Sequence, residues 1–140
     1  MERKLVDANV LLRYLLKDDE ALFKKAYELL ERVKDGKERI IIPESVLAEC
    51  VYVLLKLYKV DRRLIAEKLT SLFMYKGLVN PDKEDLVDSI HLFGQTNLSI
   101  VDCIICAKSV NNKMSILTFD DELKNISRKQ FYSKTVPPKT

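Results

Sequence analysis

The sequence predicts an α/β fold in which a parallel sheet lies between helices. Short apolar runs end in an acid or a proline, as residues 4–7 and 39–43 do. Each is followed by apolar residues at helical spacing. Strands that alternate with helices form parallel sheets through right-handed crossovers, with helices over both faces. We therefore expect ligands at the carboxyl edge of the sheet, where open α/β sheets bind them.

The first half of the chain predicts two strands, each followed by helices. Residues 4–6 form the first strand, and a short helix follows at residues 9–16. The helix at residues 18–34 begins with three acids and ends before Asp35-Gly36, which suits the helix dipole and the C-cap preference. The β-branched run before Pro43 predicts a buried strand, and a long helix follows at residues 44–59.

The second half predicts further helices with two or three strands between and after them. The helices are expected at residues 61–77, 82–94 and 99–110, with a brief strand or extended link at 78–81. The apolar run at 115–119 predicts another strand. A short helix and a last strand near residues 135–136 complete the chain.

The composition is that of a single folded domain, residues 1–140. The chain is 47% hydrophobic and 32% charged, and a chain of this length buries roughly 70% of the surface that its unfolded form exposes. No apolar run approaches the ~20 residues of a membrane span, and we expect no signal peptide before the first strand. Three cysteines without a framework spacing favour a reducing compartment. We therefore expect a cytoplasmic protein; its net charge of +3 permits a nucleic-acid partner without indicating one.

Two aspartates directly follow predicted strands. Asp7 ends the first strand, and Asp120 ends the strand at residues 115–119. An aspartate at such a junction is also an ordinary helix N-cap, a role that Asp121 would share. Spacing alone leaves open which of the pair points inward, and we favour Asp120 because it is nearer the strand end.

Two further acids lie near helix starts. Glu49 shares an apolar stripe with Val46 and Val53, where a carboxylate is costly unless it is paired or bound to a cation. The alternative is a glutamate at the solvated border of that stripe. Asp102 follows Ser99 at capping-box spacing, yet it begins an almost wholly apolar helix that we expect to start inside the protein.

Four acids at one edge of a sheet predict a cation site. Carboxylates brought close together repel one another, so such a cluster makes sense only around cations. Oxygen ligands favour Mg²⁺ or Mn²⁺, and sites of this kind hold one or two ions and hydrolyse phosphodiesters. Cys103-x-x-Cys106 lies in an apolar helix and His91 stands alone, so we interpret all three as structural or solvated residues.

Four blocks of the sequence, residues 5–11, 43–49, 98–105 and 116–120, together span almost the whole chain. In these blocks and in their order, the sequence resembles PIN-domain ribonucleases and, among them, the VapC-like toxins of toxin–antitoxin pairs. The resemblance implies a three-layer α/β/α sandwich with a five-stranded parallel sheet. It also implies the site residues: the acids Asp7, Glu49, Asp102 and Asp120 around Mg²⁺ or Mn²⁺, and the supporting polar residues Asn9, Ser45, Thr118 and Asp121.

We therefore expect a metal-dependent endoribonuclease. The choice of RNA over DNA, the toxin role, a cognate antitoxin and a homodimer come from the resemblance alone. Arg13 and Lys17 lie on the helix that Asp7 starts, so we favour them as contacts to the RNA backbone. The alternative is that they only form part of a solvated helix face. A non-catalytic PIN-like binding or regulatory protein stays open. A phosphoacceptor receiver module fits poorly, because the second acid, Glu49, lies on a helix.

Overall fold

The computed structural model describes residues 1–135, with side chains through residue 129. Over this range the chain forms two β-strands, seven α-helices and one π-helical turn. In chain order the elements are β1 (Arg3–Leu5), α1 (Ala8–Leu16), α2 (Glu20–Lys34), β2 (Arg39–Ile41), α3 (Glu44–Tyr52), the π turn (Val53–Leu57), α4 (Arg62–Phe73), α5 (Lys83–Gln95), α6 (Ile100–Asn112) and α7 (Asp121–Thr135).

The sheet consists of β1 and β2, which pair in parallel. Lys4 lies opposite Ile40, and the Val6 N–H extends the ladder by donating to the Ile41 carbonyl at 3.2 Å. On the other side of β2, Leu78 forms an isolated parallel bridge with Ile40. The predicted strands at residues 4–6 and 39–42 and the extended link at 78–81 are therefore present in their expected places.

The expected five-stranded sheet is wrong for residues 1–135. The strand predicted at 115–119 has irregular structure, and the side chains of Leu117 and Phe119 are 103% and 105% exposed. With those side chains in water, pairing would gain no burial to stabilise it. Of the strand predicted near residues 135–136, Thr135 ends α7 and residue 136 lies outside the described residues.

The predicted helices are confirmed, with shifted ends. The helix expected at 61–77 ends at Phe73, and the one expected after residue 121 is longer than predicted. The helix expected at 44–59 is α3 followed by the π turn, in which the Tyr58 N–H donates to the Val53 carbonyl at 3.1 Å. None of the helices within residues 1–135 has the length and hydrophobicity needed to cross a bilayer.

The hydrophobic core lies between two groups of helices. Helices α4 to α7 pack each against the next, α1 packs against α2 and α3, and α3 also contacts α6. Fully buried side chains such as Leu47, Phe73 and Phe93 fill the space between them. The three cysteines are buried and unpaired, as the core interpretation of Cys103 and Cys106 predicts.

Gly77 is required where three segments meet. A Cβ atom there would lie 1.9 Å from the Glu38 carbonyl oxygen and 2.7 Å from that of Val33. The Gly77 N–H donates to the Val33 carbonyl at 2.7 Å, and its own carbonyl accepts from the Ile40 N–H at 2.8 Å. Only glycine allows the end of α2, the start of β2 and the segment before Leu78 to approach this closely.

Candidate active site

Asp7 lies at the junction of β1 and α1. The chain leaves the sheet after Val6, and Asp7 is the N-cap of α1, with its Oδ1 accepting from the Val10 N–H at 3.1 Å. The residue is exposed. The predicted strand–acid–helix junction is confirmed, and Asp7 acts as a cap while it presents a carboxylate to solvent.

Glu49 lies on α3, which starts directly after Pro43 closes β2. Val46 and Val53 are half-buried, and Glu49 itself is exposed, so it occupies the solvated border of the apolar stripe. Within the described side chains its carboxylate forms neither a hydrogen bond nor an ion pair. The expectation of a carboxylate inside the stripe is therefore wrong, and what the structure presents is an unpaired acid at its edge.

Asp7 and Glu49 are both neighbours of the buried Cys50 thiol. Cys50 follows Glu49 on α3, and its Sγ donates a weak hydrogen bond to the Ala8 carbonyl of α1 at 3.9 Å. Burial raises the pKa of the Cys50 thiol to about 12, and the nearby carboxylates of Glu49 and Asp7 contribute to that rise. The two predicted site residues therefore belong to elements that contact each other, α1 and α3.

Asp102 lies in the first turn of α6. Ser99 caps this helix, with its Oγ accepting from the Asp102 N–H at 3.1 Å, so the capping interpretation holds for the serine. The half-buried Asp102 carboxylate accepts no hydrogen bond from the described residues. Because α3 contacts α1 and α6, the helix with Asp102 is next to the helix with Glu49.

Asp120 caps α7. Its Oδ1 accepts from the N–H groups of Glu122 at 2.9 Å and Leu123 at 3.3 Å. Asp121 is the exposed first residue of that helix. Because residues 115–119 do not join the sheet, the junction that was expected to repeat the geometry of Asp7 is not formed.

The predicted supporting residues contact the acids less than expected. Thr118 Oγ1 accepts from the backbone N–H of Asp120 at 3.0 Å rather than bonding its carboxylate. Asn9 and Ser45 are exposed, and neither makes a hydrogen bond to the predicted acids over residues 1–129. Their supporting role stays a prediction.

The carboxylates of the four predicted acids are chemically suited to a hard divalent cation. The ion pairs within residues 1–129 use other acids, Glu38, Asp18 and Glu44, although the chain has 24 Lys and Arg against 21 Asp and Glu. Carboxylates left without cationic partners are the ligands that Mg²⁺ and Mn²⁺ prefer. No three acid, His or Cys side chains in that range cluster as a metal site.

Arg13 is engaged within the protein. Its Nη1 donates to both carboxylate oxygens of Asp18, at 2.9 and 3.0 Å, and the Tyr58 hydroxyl donates to the same carboxylate at 3.0 Å. Lys17 Nζ lies 5.5 Å from the centroid of the Phe23 ring. Contacts from Arg13 and Lys17 to RNA stay a prediction, and an RNA phosphate would compete with Asp18 for Arg13.

Arg62 holds the segment before α6 without belonging to any predicted motif. Its Nε donates to the Phe93 carbonyl at 3.3 Å, its Nη2 donates to the Leu98 carbonyl, and its guanidinium lies 3.9 Å from the centroid of the Phe93 ring. Leu98 precedes Ser99, the cap of the helix that carries Asp102. In the sequence the only signal is one basic residue among its neighbours Lys59 and Arg63.

One of three comparisons with known proteins found a match. A family model described as PIN domain matches residues 4–129, a range that includes all four predicted acids. The comparisons with curated proteins and with solved structures found no significant match.

Proposed function

Because the chain belongs to the PIN-domain family, which is generally one of metal-dependent nucleases, we propose that it is an endoribonuclease that works with Mg²⁺ or Mn²⁺. The proposal extends the family assignment in three respects: the substrate is RNA, the ion is Mg²⁺ or Mn²⁺, and the acids Asp7, Glu49, Asp102 and Asp120 hold it.

One observation carries the proposal. Asp7 and Glu49 are far apart in sequence, yet the Sγ of Cys50, next to Glu49, donates to the carbonyl of Ala8, next to Asp7, and neither acid forms an ion pair with the described residues. We infer that these two unpaired carboxylates, on neighbouring elements, are placed to bind a divalent cation.

The four acids contribute to the proposed site from different elements. Asp7 is oriented by the cap of α1 and Glu49 by α3, and we assign them as the principal ligands. Asp102, from the neighbouring α6, and Asp120, from the start of α7, are the remaining proposed ligands. A divalent ion bound to such carboxylates polarises water for attack on a phosphodiester.

The biological setting is part of the proposal. We propose that the protein is the toxin of a toxin–antitoxin pair, that it forms a homodimer, and that a cognate antitoxin blocks the acidic site. A non-catalytic nucleic-acid-binding member of the family is the second candidate. The absence of a three-acid cluster within residues 1–129 favours it.

The test compares cleavage with binding. Purified protein is incubated with single-stranded RNA in Mg²⁺, Mn²⁺ or EDTA, and the 5′ ends of the products are analysed. We expect 5′-phosphate ends, no cleavage in EDTA, and a loss of about 100-fold or more in Glu49→Gln. Glu67→Gln, at an exposed position on α4, is the matched control and should keep the parent's activity.

Other outcomes contradict the proposal. Cleavage that persists in EDTA, or products with 2′,3′-cyclic phosphates, would exclude a mechanism that depends on the acids and a metal. RNA binding without cleavage in any metal would favour the non-catalytic candidate.

A further inference from the structure

A basic cavity of about 590 Å³ lies between the end of α6 and one face of α7. Three of its lining residues are cationic, Lys113, Lys124 and Arg128, and three carry hydroxyls, Ser109, Ser115 and Ser127. No carboxylate is among the described residues that line it. A cavity with this lining concentrates positive charge.

The charge of this cavity differs from that of the rest of the molecule. The whole chain has 24 Lys and Arg and 21 Asp and Glu, and the cavities beside α5 include carboxylates, Asp88 in one and Glu67 in the other. In the part of the chain with described side chains, Lys113, Lys124 and Arg128 form no ion pair. Their charges are therefore available to an external anion.

The wall formed by the end of α6 is held by hydrogen bonds. Lys113 caps α6 with a left-handed backbone (φ 53°), and its N–H donates to the Ser109 carbonyl. The Met114 N–H donates to the same carbonyl at 2.9 Å, and Ser109 Oγ donates to the Met114 carbonyl. These bonds fix the turn that carries Lys113, so its position at the cavity is defined by the backbone.

The opposite wall connects the cavity to the predicted site. The Lys124 N–H donates to the Asp120 carbonyl at 3.2 Å, so Lys124 lies one helical turn after Asp120, and Arg128 lies one turn further. At 1.5 Å per residue, Arg128 is about 12 Å from Asp120 along the axis of α7. Positions four apart share a face of a helix, so Lys124 and Arg128 lie on the same face of α7, at increasing distance from Asp120.

We propose that this cavity binds backbone phosphates of the RNA strand next to the bond that is cleaved. Lys, Arg and Ser side chains are the usual donors to phosphate oxygens, and such contacts position a nucleic acid without reading its sequence. The inference rests on the proposed function, because it takes RNA as the substrate and Asp120 as part of the site.

The test measures RNA binding in EDTA, where no cleavage is expected. A fluorescent single-stranded RNA is titrated at several salt concentrations with the parent, with Lys124→Gln/Arg128→Gln, and with the control Lys24→Gln/Lys25→Gln. The control removes two exposed charges from α2. Each lost phosphate contact lowers the slope of log K against log salt by about 0.7 for a single strand. We expect a decrease of about 1.4 in the first variant and the parent's slope in the control.

A slope in Lys124→Gln/Arg128→Gln equal to that of the control overturns the inference. Inorganic phosphate and polyglutamate are tested on the same proteins. If either binds the parent and loses binding in this variant while the RNA slope is unchanged, the cavity serves a free phosphate or an acidic protein segment instead. Because these measurements need no cleavage, a protein that binds RNA through the cavity but never cuts it contradicts the proposed function alone.

Discussion

The side-chain amide of Asn80 makes both of the hydrogen bonds that a neighbouring strand would make to the backbone of Ile42. Its Oδ1 accepts from the Ile42 N–H at 2.9 Å, and its Nδ2 donates to the Ile42 carbonyl at 2.7 Å. Asn80 is buried, and Pro81 follows it with no N–H to continue the ladder. One side chain thus replaces the third strand at the point where β2 leads into the helix that carries Glu49.

We predict that Asn80→Ala lowers the free energy of unfolding by about 2–6 kcal/mol. The substitution leaves the buried N–H and carbonyl of Ile42 without partners, and each unpaired group costs about 1–3 kcal/mol. Urea denaturation measures the change. The exposed Asn97→Ala is the control and should change the unfolding free energy by about 0.5 kcal/mol or less; equal effects of the two substitutions would contradict this account of Asn80.

We predict that Arg62→Lys is destabilising by about 1–3 kcal/mol although it keeps the charge. Lysine has no planar fork to reach the Phe93 and Leu98 carbonyls together, and it loses the stacking on the Phe93 ring. Thermal and urea denaturation measure the loss. Arg63→Lys, at the exposed neighbouring position, should be close to neutral, and a neutral Arg62→Lys would show that these contacts do not hold the loop before α6.

We predict that Asp18→Asn destabilises the protein at neutral pH and not in strong acid. Hydrogen bonds from Arg13 and then Tyr58 hold the pKa of Asp18 below its ordinary value of 3.8. A carboxyl whose folded-state pKa is lowered contributes stability above its ordinary pKa and loses it as the pH falls through the lowered value. The melting temperatures of parent and variant should therefore converge below about pH 3.8.

The neighbouring Asp19→Asn is the control for that experiment. Asp19 caps α2 by accepting from the Leu22 N–H at 3.0 Å, and asparagine caps a helix about as well as aspartate. Its melting temperature should follow that of the parent across this pH range. A difference for Asp18→Asn that stays constant from pH 7 to pH 2 would assign its effect to something other than the ion pair.

We predict that Asp120→Asn abolishes RNA cleavage while Asp121→Asn retains it. Asparagine preserves the cap of α7, so Asp120→Asn should melt at about the parent's temperature in EDTA. It should also show a smaller upward shift when Mn²⁺ is added, because weaker metal binding contributes less stability. The opposite pattern of activity would make Asp121 the fourth ligand, and normal cleavage in both variants would remove this position from the site.

The sequence predicted the helices and the Asp7 junction because these depend on local signals. The capped start of α1 and the proline after β2 are determined by a few adjacent residues. The number of strands depends on distant partners, and the apolar pattern of residues 115–119 does not reveal that Leu117 and Phe119 lie in water. Asn80 and Arg62 were missed for the same reason: each acts on a backbone more than 30 positions away.

The π turn after α3 bears on where a residue could be deleted from the chain. A turn closed by a bond between residues five apart, as between Val53 and Tyr58, holds one residue more than an α-helical turn. Deleting the exposed Lys56 would leave a regular α-helical turn, with Tyr58 and Val60 facing the same way as before. We therefore expect the protein to tolerate the loss of one residue at this position, whereas the same deletion within α3 would rotate Glu49 or the apolar residues around it by about 100°.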